Sequence, residues 1–314
     1  MRANPLTFAG FILVVVIAII ALLVLVVPPI TQAILGRALS ILPGDPVNGD
    51  CPPALRNAAG NCAYPPSGSH WLGTDDLNRD MLSRVLAALP LDLFIGFAVT
   101  GFALIVGGSL GLVAGFWDAP RTLGGLVSSV ILRVTDVFLA FPSLVLALAI
   151  AASLGRGTTP SILAILFTWW PYYVRLVRGE VLAVKHQPYV VAARAAGVSN
   201  VRILFRHILR NVIEPVVVYY TLDVGTVIVT FSTISFVGIG VPLNVPEWGN
   251  MILGYEEFLI SYPWTILSAG AALFVTVLAL SLLGDGLRDV LDPRSRRVLA
   301  QAAAPSTVAA AAQG

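Results

Sequence analysis

The stretch YVVAARAAGVSNVRILFRHILRNVIEP, Tyr189 to Pro215, decides how this chain is read, because it is basic and alanine-rich and sits between long apolar runs. With Pro188 as a first-turn proline, Ala192, Ala193, Ala195 and Ala196 belong to a short helix that stops at Gly197, whose missing side chain allows a left-handed cap. Ser199 is placed to cap a second helix. There Val201, Leu204, Phe205, Ile208, Leu209 and Val212 recur at three- and four-residue spacing, while Arg202, Arg206 and Arg210 form a separate row. One face suits lipid or a membrane helix, and the other suits water. The first helix has short side chains that permit close backbone approach, as a helix entering a cleft in another protein requires. The segment reads as a docking element, not as a site of transport chemistry.

Around it the composition is that of an all-α integral membrane protein: 57% of the 314 residues are hydrophobic and 11% charged, against roughly a quarter charged in soluble domains. The net charge of +2 is small and its basic residues are clustered, so charge sets topology and gives no nucleic-acid surface. Six apolar segments approach the ~20 residues a bilayer needs. They lie near Phe8–Val27, Leu93–Phe116, Phe141–Leu154 with its preceding helix, Ile162–Leu176, Ile213–Val237 and Trp264–Leu283. The first is too long for the apolar core of a signal peptide and reads as a retained anchor. The chain divides into an N-terminal transmembrane helix (1–30), an extracytoplasmic segment (31–90), a core membrane domain (91–290) with the docking loop at 186–210, and a low-complexity tail (291–314) expected to be disordered.

The loop Arg175–Arg210 holds seven basic residues against Glu180 alone, which places it in the cytoplasm. Six spans then put both termini on that side, and Pro28–Pro90 and Gly238–Pro263 outside. Cys51 and Cys62 fall in the outer segment, where a disulfide is the expected state; two free thiols are the alternative. No CxxC spacing or nearby histidine cluster supports a metal site.

Residues for chemistry are few. Asp223 is the clear ionisable group inside a span, and it either lines a pore, binding a substrate amine or relaying protons, or bonds to a neighbouring helix. There is no phosphate-binding loop and no set of residues for a membrane enzyme, so any ATP that drives transport is bound by another chain. His70–Arg84, with Asp75, Asp76, Arg79, Asp80 and Arg84, reads as a solvated, salt-bridged cap. Trp248 beside Gly249 reads as an exposed aromatic that either contacts a partner, together with Asn250, or anchors the membrane interface.

Six motifs in order, HWLGTDDLNRDMLSR, RVTDVFLAFPSLVLALA, YVRLVRGEVL, YVVAARAAGVSNVRILFRHIL, SFVGIGVPLNVPEWGNMI and LLGDGLRDVLDPR, span His70 to Arg294. Together they resemble the permease subunits of ATP-binding-cassette importers, specifically the second membrane subunit of the dipeptide, oligopeptide and nickel group. The resemblance implies a type I importer permease fold of six transmembrane helices in a prokaryotic inner membrane. It implies as partners a paralogous permease forming a heterodimer, two cytoplasmic ATPases that bind ATP and magnesium, and an extracytoplasmic binding protein. No cofactor is implied in this chain, which is not itself an enzyme, and the cargo is a peptide, with oligosaccharides or nickel chelates as alternatives. A membrane scaffold that recruits a cytoplasmic partner without transport is the alternative of another class. Val191, Ala192, Ala193, Arg194, Gly197, Arg202 and Arg206 fall on the family's ATPase-coupling loop. Two departures stand in that loop: Val191 replaces a usual Glu, and Arg210 a usual Pro, which is expected to let the second helix run on unkinked.

Overall fold

A computed structural model describes residues 5–35, 40, 42–58, 60–119 and 121–291. The tail expected to be disordered, including Arg294, Arg296 and Arg297, lies outside the described residues. Nine helices carry the fold among those described: α1 (Pro5–Leu35), α2 (Met81–Phe116), α3 (Leu123–Leu139), α4 (Ser143–Leu154), α5 (Thr158–Lys185), α6 (Pro188–Ala195), α7 (Asn200–Phe236), α8 (Trp248–Gly254) and α9 (Pro263–Leu291). Two single 3-10 turns, Pro53–Leu55 and Glu256–Phe258, accompany them.

Four helices, α1, α2, α7 and α9, are long and apolar enough to cross a membrane, and the bent pair α3 and α4 makes a fifth span if taken as one. The pair turns through 84° at Phe141 and Pro142, where proline ends one helix and opens the next. Helix α5 is the sixth long segment of the expected set. Its 28 residues start before Ile162 and run past Leu176 to Lys185, with Pro171 inside the helix. It lies in the bundle interior against α2, so several of its side chains meet protein and not lipid. Helix α2 likewise begins at Met81, three turns before the expected Leu93, because Asp80 caps it by accepting from the Ser83 N–H at 2.8 Å.

The α2–α5 seam rests on small residues. Gly107, Gly111 and Gly115 recur every fourth residue on one face of α2, and a Cβ at each would lie 2.1 Å from the Trp170 carbonyl, 2.7 Å from the Val174 carbonyl and 2.8 Å from Val181. Without side chains the two backbones meet directly, which is how membrane helices gain packing energy in the absence of a hydrophobic drive. Beyond this seam, one apolar core joins α1, α2, α7, α8 and α9 around Val85, Ile228, Trp248 and Leu280. A second gathers α2, α4, α5 and α7 around Ile95, Ile165, Tyr173 and Phe231. A third lies toward α6 and contains Phe116, Val181, Val190, Ile203 and Ile208.

Candidate functional site

Helix α6 stands at one end of the bundle, with Gln187 before it and Pro188 in its first turn. Gly197 adopts φ +76°, and the Val198 N–H donates to the Ala193 carbonyl at 3.1 Å, closing the helix with a left-handed glycine. Val190 is fully buried in the third core and Ala193 packs against it, while Val191, Ala192, Arg194 and Ala195 face outward. A short, small-residue helix thus presents most of its surface to whatever lies beyond.

After Val198 the second helix starts at Asn200, where the two-helix reading places it. Ser199 holds the cap position of α7, but its hydroxyl makes no capping bond. The chain then passes through a π-turn at Ile203–Ile208 without a break, so the docking segment and the next span form one helix of 37 residues. A π-turn inserts an extra residue into a turn and rotates the face beyond it. Ile203, Leu204, Ile208 and Val212 are buried against the bundle, whereas Val201 and Phe205, on the face read as suiting lipid or a membrane helix, are each 61% exposed. Arg202 and Arg206 remain on the exposed side.

Asp223 is buried between α7 and α5. Its Oδ2 accepts from the Trp169 indole N–H at 2.8 Å and from the Tyr173 hydroxyl at 3.0 Å. Both partners come from one face of α5, four residues apart, so the carboxylate ties two helices together. The helix-packing role of Asp223 has this observed geometry behind it. The i, i+4 spacing of Trp169 and Tyr173 was the available signal for the partners.

At the opposite end, the segment 70–84 is not the solvated cap expected of it. Asp75 is fully buried and gathers the Arg79 Nε at 2.6 Å, the backbone N–H groups of Arg79 and Leu77 at 2.8 and 3.0 Å, and the Tyr255 hydroxyl at 2.7 Å. Arg84, 2% exposed, donates to the Pro46 carbonyl at 2.6 Å. These charges are withdrawn from water because the chain at 42–50 folds over them, Gly44 bonding to Ser83 and Pro46 to Arg84, and Cys51 and Cys62 are joined in a disulfide. Burial and the neighbouring Asp75 charge raise the Asp76 carboxyl above its ordinary pKa.

Trp248 and Asn250 also need correction as surface contacts. Trp248 is wholly buried, its indole N–H donating to the Val85 carbonyl at 3.2 Å, and Asn250 is 2% exposed, holding the Pro242 and Val245 carbonyls. The reason is Glu247, which caps α8 by accepting from the N–H groups of Gly249 and Asn250 at 2.8 and 2.7 Å. That cap turns α8 into the bundle, where Gly249 sits directly on the Ser232 backbone. Burial holds the Glu247 carboxyl above its ordinary pKa. No group of three or more metal-ligating side chains occurs among the described residues.

The fold and its two differentiated ends, an exposed small-residue helix at one and a largely buried polar cluster at the other, define a multi-spanning helical membrane subunit. The chain belongs to the family described as binding-protein-dependent transport system inner membrane component, which matches residues 107–297, more than half of it. It is a permease subunit of an ATP-binding-cassette importer, and ATP hydrolysis belongs to separate subunits. A dipeptide transport system permease protein of Alkalihalophilus pseudofirmus is 42% identical over 232 residues, 74% of each chain. A probable D,D-dipeptide transport system permease protein of Escherichia coli is 38% identical, covering 74% of this chain and 76% of that one. A glutathione transport system permease protein of Pectobacterium atrosepticum is 38% identical over 73% and 74%. Among solved structures, an inward-facing methionine ABC transporter shares the fold with a TM-score of 0.55 at 17% identity, covering 68% of this chain and 98% of that chain.

Proposed function

We propose that this chain forms one half of the translocation pathway of a peptide importer, with a paralogous permease as the other half. The observation that carries the cargo is the set of relatives above 35% identity over about three quarters of both chains, named for dipeptides, D,D-dipeptides and glutathione. An extracytoplasmic binding protein delivers the peptide and two cytoplasmic ATPases drive the cycle. The seven basic residues of Arg175–Arg210 support a cytoplasmic α6 end, with both termini on that side. The exposed face of α6, from Val191 to Arg194, supports its seating in a groove of an ATPase. Gly197 fixes the direction in which it leaves the membrane. Val191 stands outward where the resemblance implies a Glu, so the contact at that position is apolar here.

The test replaces Gly197 with Val in the assembled complex in proteoliposomes. A β-branched residue at φ +76° is strained by roughly 1–2 kcal/mol, and a Cβ there meets no neighbouring atom, so the bundle itself is spared. The expected result is intact assembly of the permease pair with binding-protein-stimulated ATP hydrolysis and dipeptide uptake both reduced at least severalfold. Uptake and stimulation equal to the parent would remove α6 as the coupling element. Retention of ATPase binding with no uptake of any peptide by the parent complex would favour a scaffold without transport.

A further inference from the structure

At the α6 end a groove of about 490 Å³ opens between α5, α7 and α9, a size within the ~300–1,000 Å³ of small-molecule sites. Leu176 of α5 and Val218 and Leu222 of α7 give it apolar walls, with the Tyr219 ring beside them. Two opposite charges line it: Glu214 on α7 and Arg288 on α9. Both are exposed, and neither is in an ion pair among the described residues. The acids of α9 nearest to Arg288, Asp285 and Asp289, do not line the groove.

Opposite charges that share a groove and leave each other unpaired are the complement of a ligand carrying both signs at its two ends. A metal ion would use Glu214 alone, and a neutral sugar could hydrogen-bond to both groups but would leave both charges without a counter-charge. A free dipeptide has an ammonium at one end, a carboxylate at the other and side chains between that suit Leu176, Val218 and Leu222. Arg offers a planar fork of donors for a carboxylate, and Glu accepts from an ammonium. Asp223, two turns further along α7 from Pro215, does not line this groove; its Oδ2 holds Trp169 and Tyr173.

We propose that this groove is a release-side binding site for zwitterionic peptides, with the peptide carboxylate on Arg288 and its ammonium on Glu214. The proposal rests on the peptide-importer reading and assigns it a place and two residues. It requires that the site read both termini and tolerate a range of apolar side chains, since its walls are aliphatic.

The experiment measures binding of radiolabelled Ala-Ala to the purified permease pair with its ATPases, without binding protein, in phosphatidylglycerol nanodiscs. N-acetyl-Ala-Ala and Ala-Ala-amide are the competitors. Each capped peptide is expected to bind the parent about tenfold or more weakly, the scale of a lost charge-assisted bond. In Glu214→Gln the acetyl penalty vanishes while the amide penalty stays, and in Arg288→Gln the reverse holds. If either variant fails to assemble, the capped peptides on the parent still decide. Equal affinity for free and capped peptides overturns the site, as does no Ala-Ala binding at millimolar concentration by a complex that takes up Ala-Ala with its binding protein. That last outcome leaves the peptide-importer reading standing, whereas a parent complex that takes up no peptide overturns the reading itself. Displacement of Ala-Ala by glycerophosphoethanolamine more effectively than by unlabelled Ala-Ala would assign the groove to a lipid headgroup and overturn the peptide.

Discussion

Replacing Gly107 with Ala adds one methyl group where α2 has no room. The new carbon would lie 2.1 Å from the Trp170 carbonyl oxygen, and ordinary contact begins near 3.4 Å, so α2 and α5 must separate locally by about 1.3 Å, more than the ~1 Å that already forfeits about half of each neighbouring contact. Because the obstacle is backbone, no side-chain rotation relieves it. Gly108 supplies the control, being the next residue of the same helix and equally buried, yet its Cβ would meet nothing closer than Leu104 at 3.4 Å and Val177 at 3.7 Å. Both substitutions gain the same helix propensity of about 1 kcal/mol, so the difference between them isolates the packing. Overpacking of this kind costs about 3 kcal/mol, equivalent to a melting difference on the order of 5 °C for a chain of this size. The assay heats each detergent-solubilised variant and tracks the monodisperse fraction by fluorescence-detected gel filtration. Gly107→Ala is expected to melt below Gly108→Ala by that margin. Identical melting of the two would refute close backbone contact as what holds the α2–α5 seam.

Trp248→Ala removes a wholly buried indole and is expected to cost about 3–5 kcal/mol, seen as lost folded yield, while any folded fraction keeps the parent's affinity for the binding protein; a selective loss of that affinity in well-folded protein would return Trp248 to the surface. For Asp76 the linkage sign comes from its raised pKa: the folded state takes up a proton before the unfolded chain, whose carboxyl titrates at 3.8, so the favourable contribution is complete below 3.8 and is lost as pH rises through the folded value. Melting curves from pH 4 to 8 are expected to shift progressively in favour of Asp76→Asn relative to the parent, and a constant difference across that range would show that Asp76 feels neither burial nor Asp75.

The helices were legible in the sequence wherever long apolar runs alone specify them, and so was the division of the third segment into Phe141–Leu154 and a preceding helix, but not the 84° turn between them. Gly197 was equally readable, since a glycine ending an alanine-rich helix has few other uses. The π-turn was not, because inserting one residue in a turn leaves no trace in spacing. Charges misled in the other direction. Asp75, Arg79 and Arg84 look like solvated surface until Tyr255, 180 residues from Asp75, and the chain at 42–50 are brought over them. Trp248 was misjudged for a related reason: its neighbours Pro246 and Gly249 suggest an open loop, whereas Glu247 caps a helix that Gly249 lets pack against Ser232. The stripe at Gly107, Gly111 and Gly115 was present as a four-residue repeat, but only the neighbouring backbone of α5 shows what it serves.

Helix α7 has mechanical proportions set by where Asp223 fastens it. Counting at about 1.5 Å per residue, the pin to Trp169 and Tyr173 lies roughly 35 Å from the foot at Asn200 and roughly 20 Å from the far end at Phe236. If the rod pivots there, a swing of about 10° carries the foot through about 6 Å and the far end through about 3.5 Å. Displacement imposed at the end bearing α6 is thus geared down, and force geared up by the same ratio, where the helix meets Gly240 and the largely buried polar cluster.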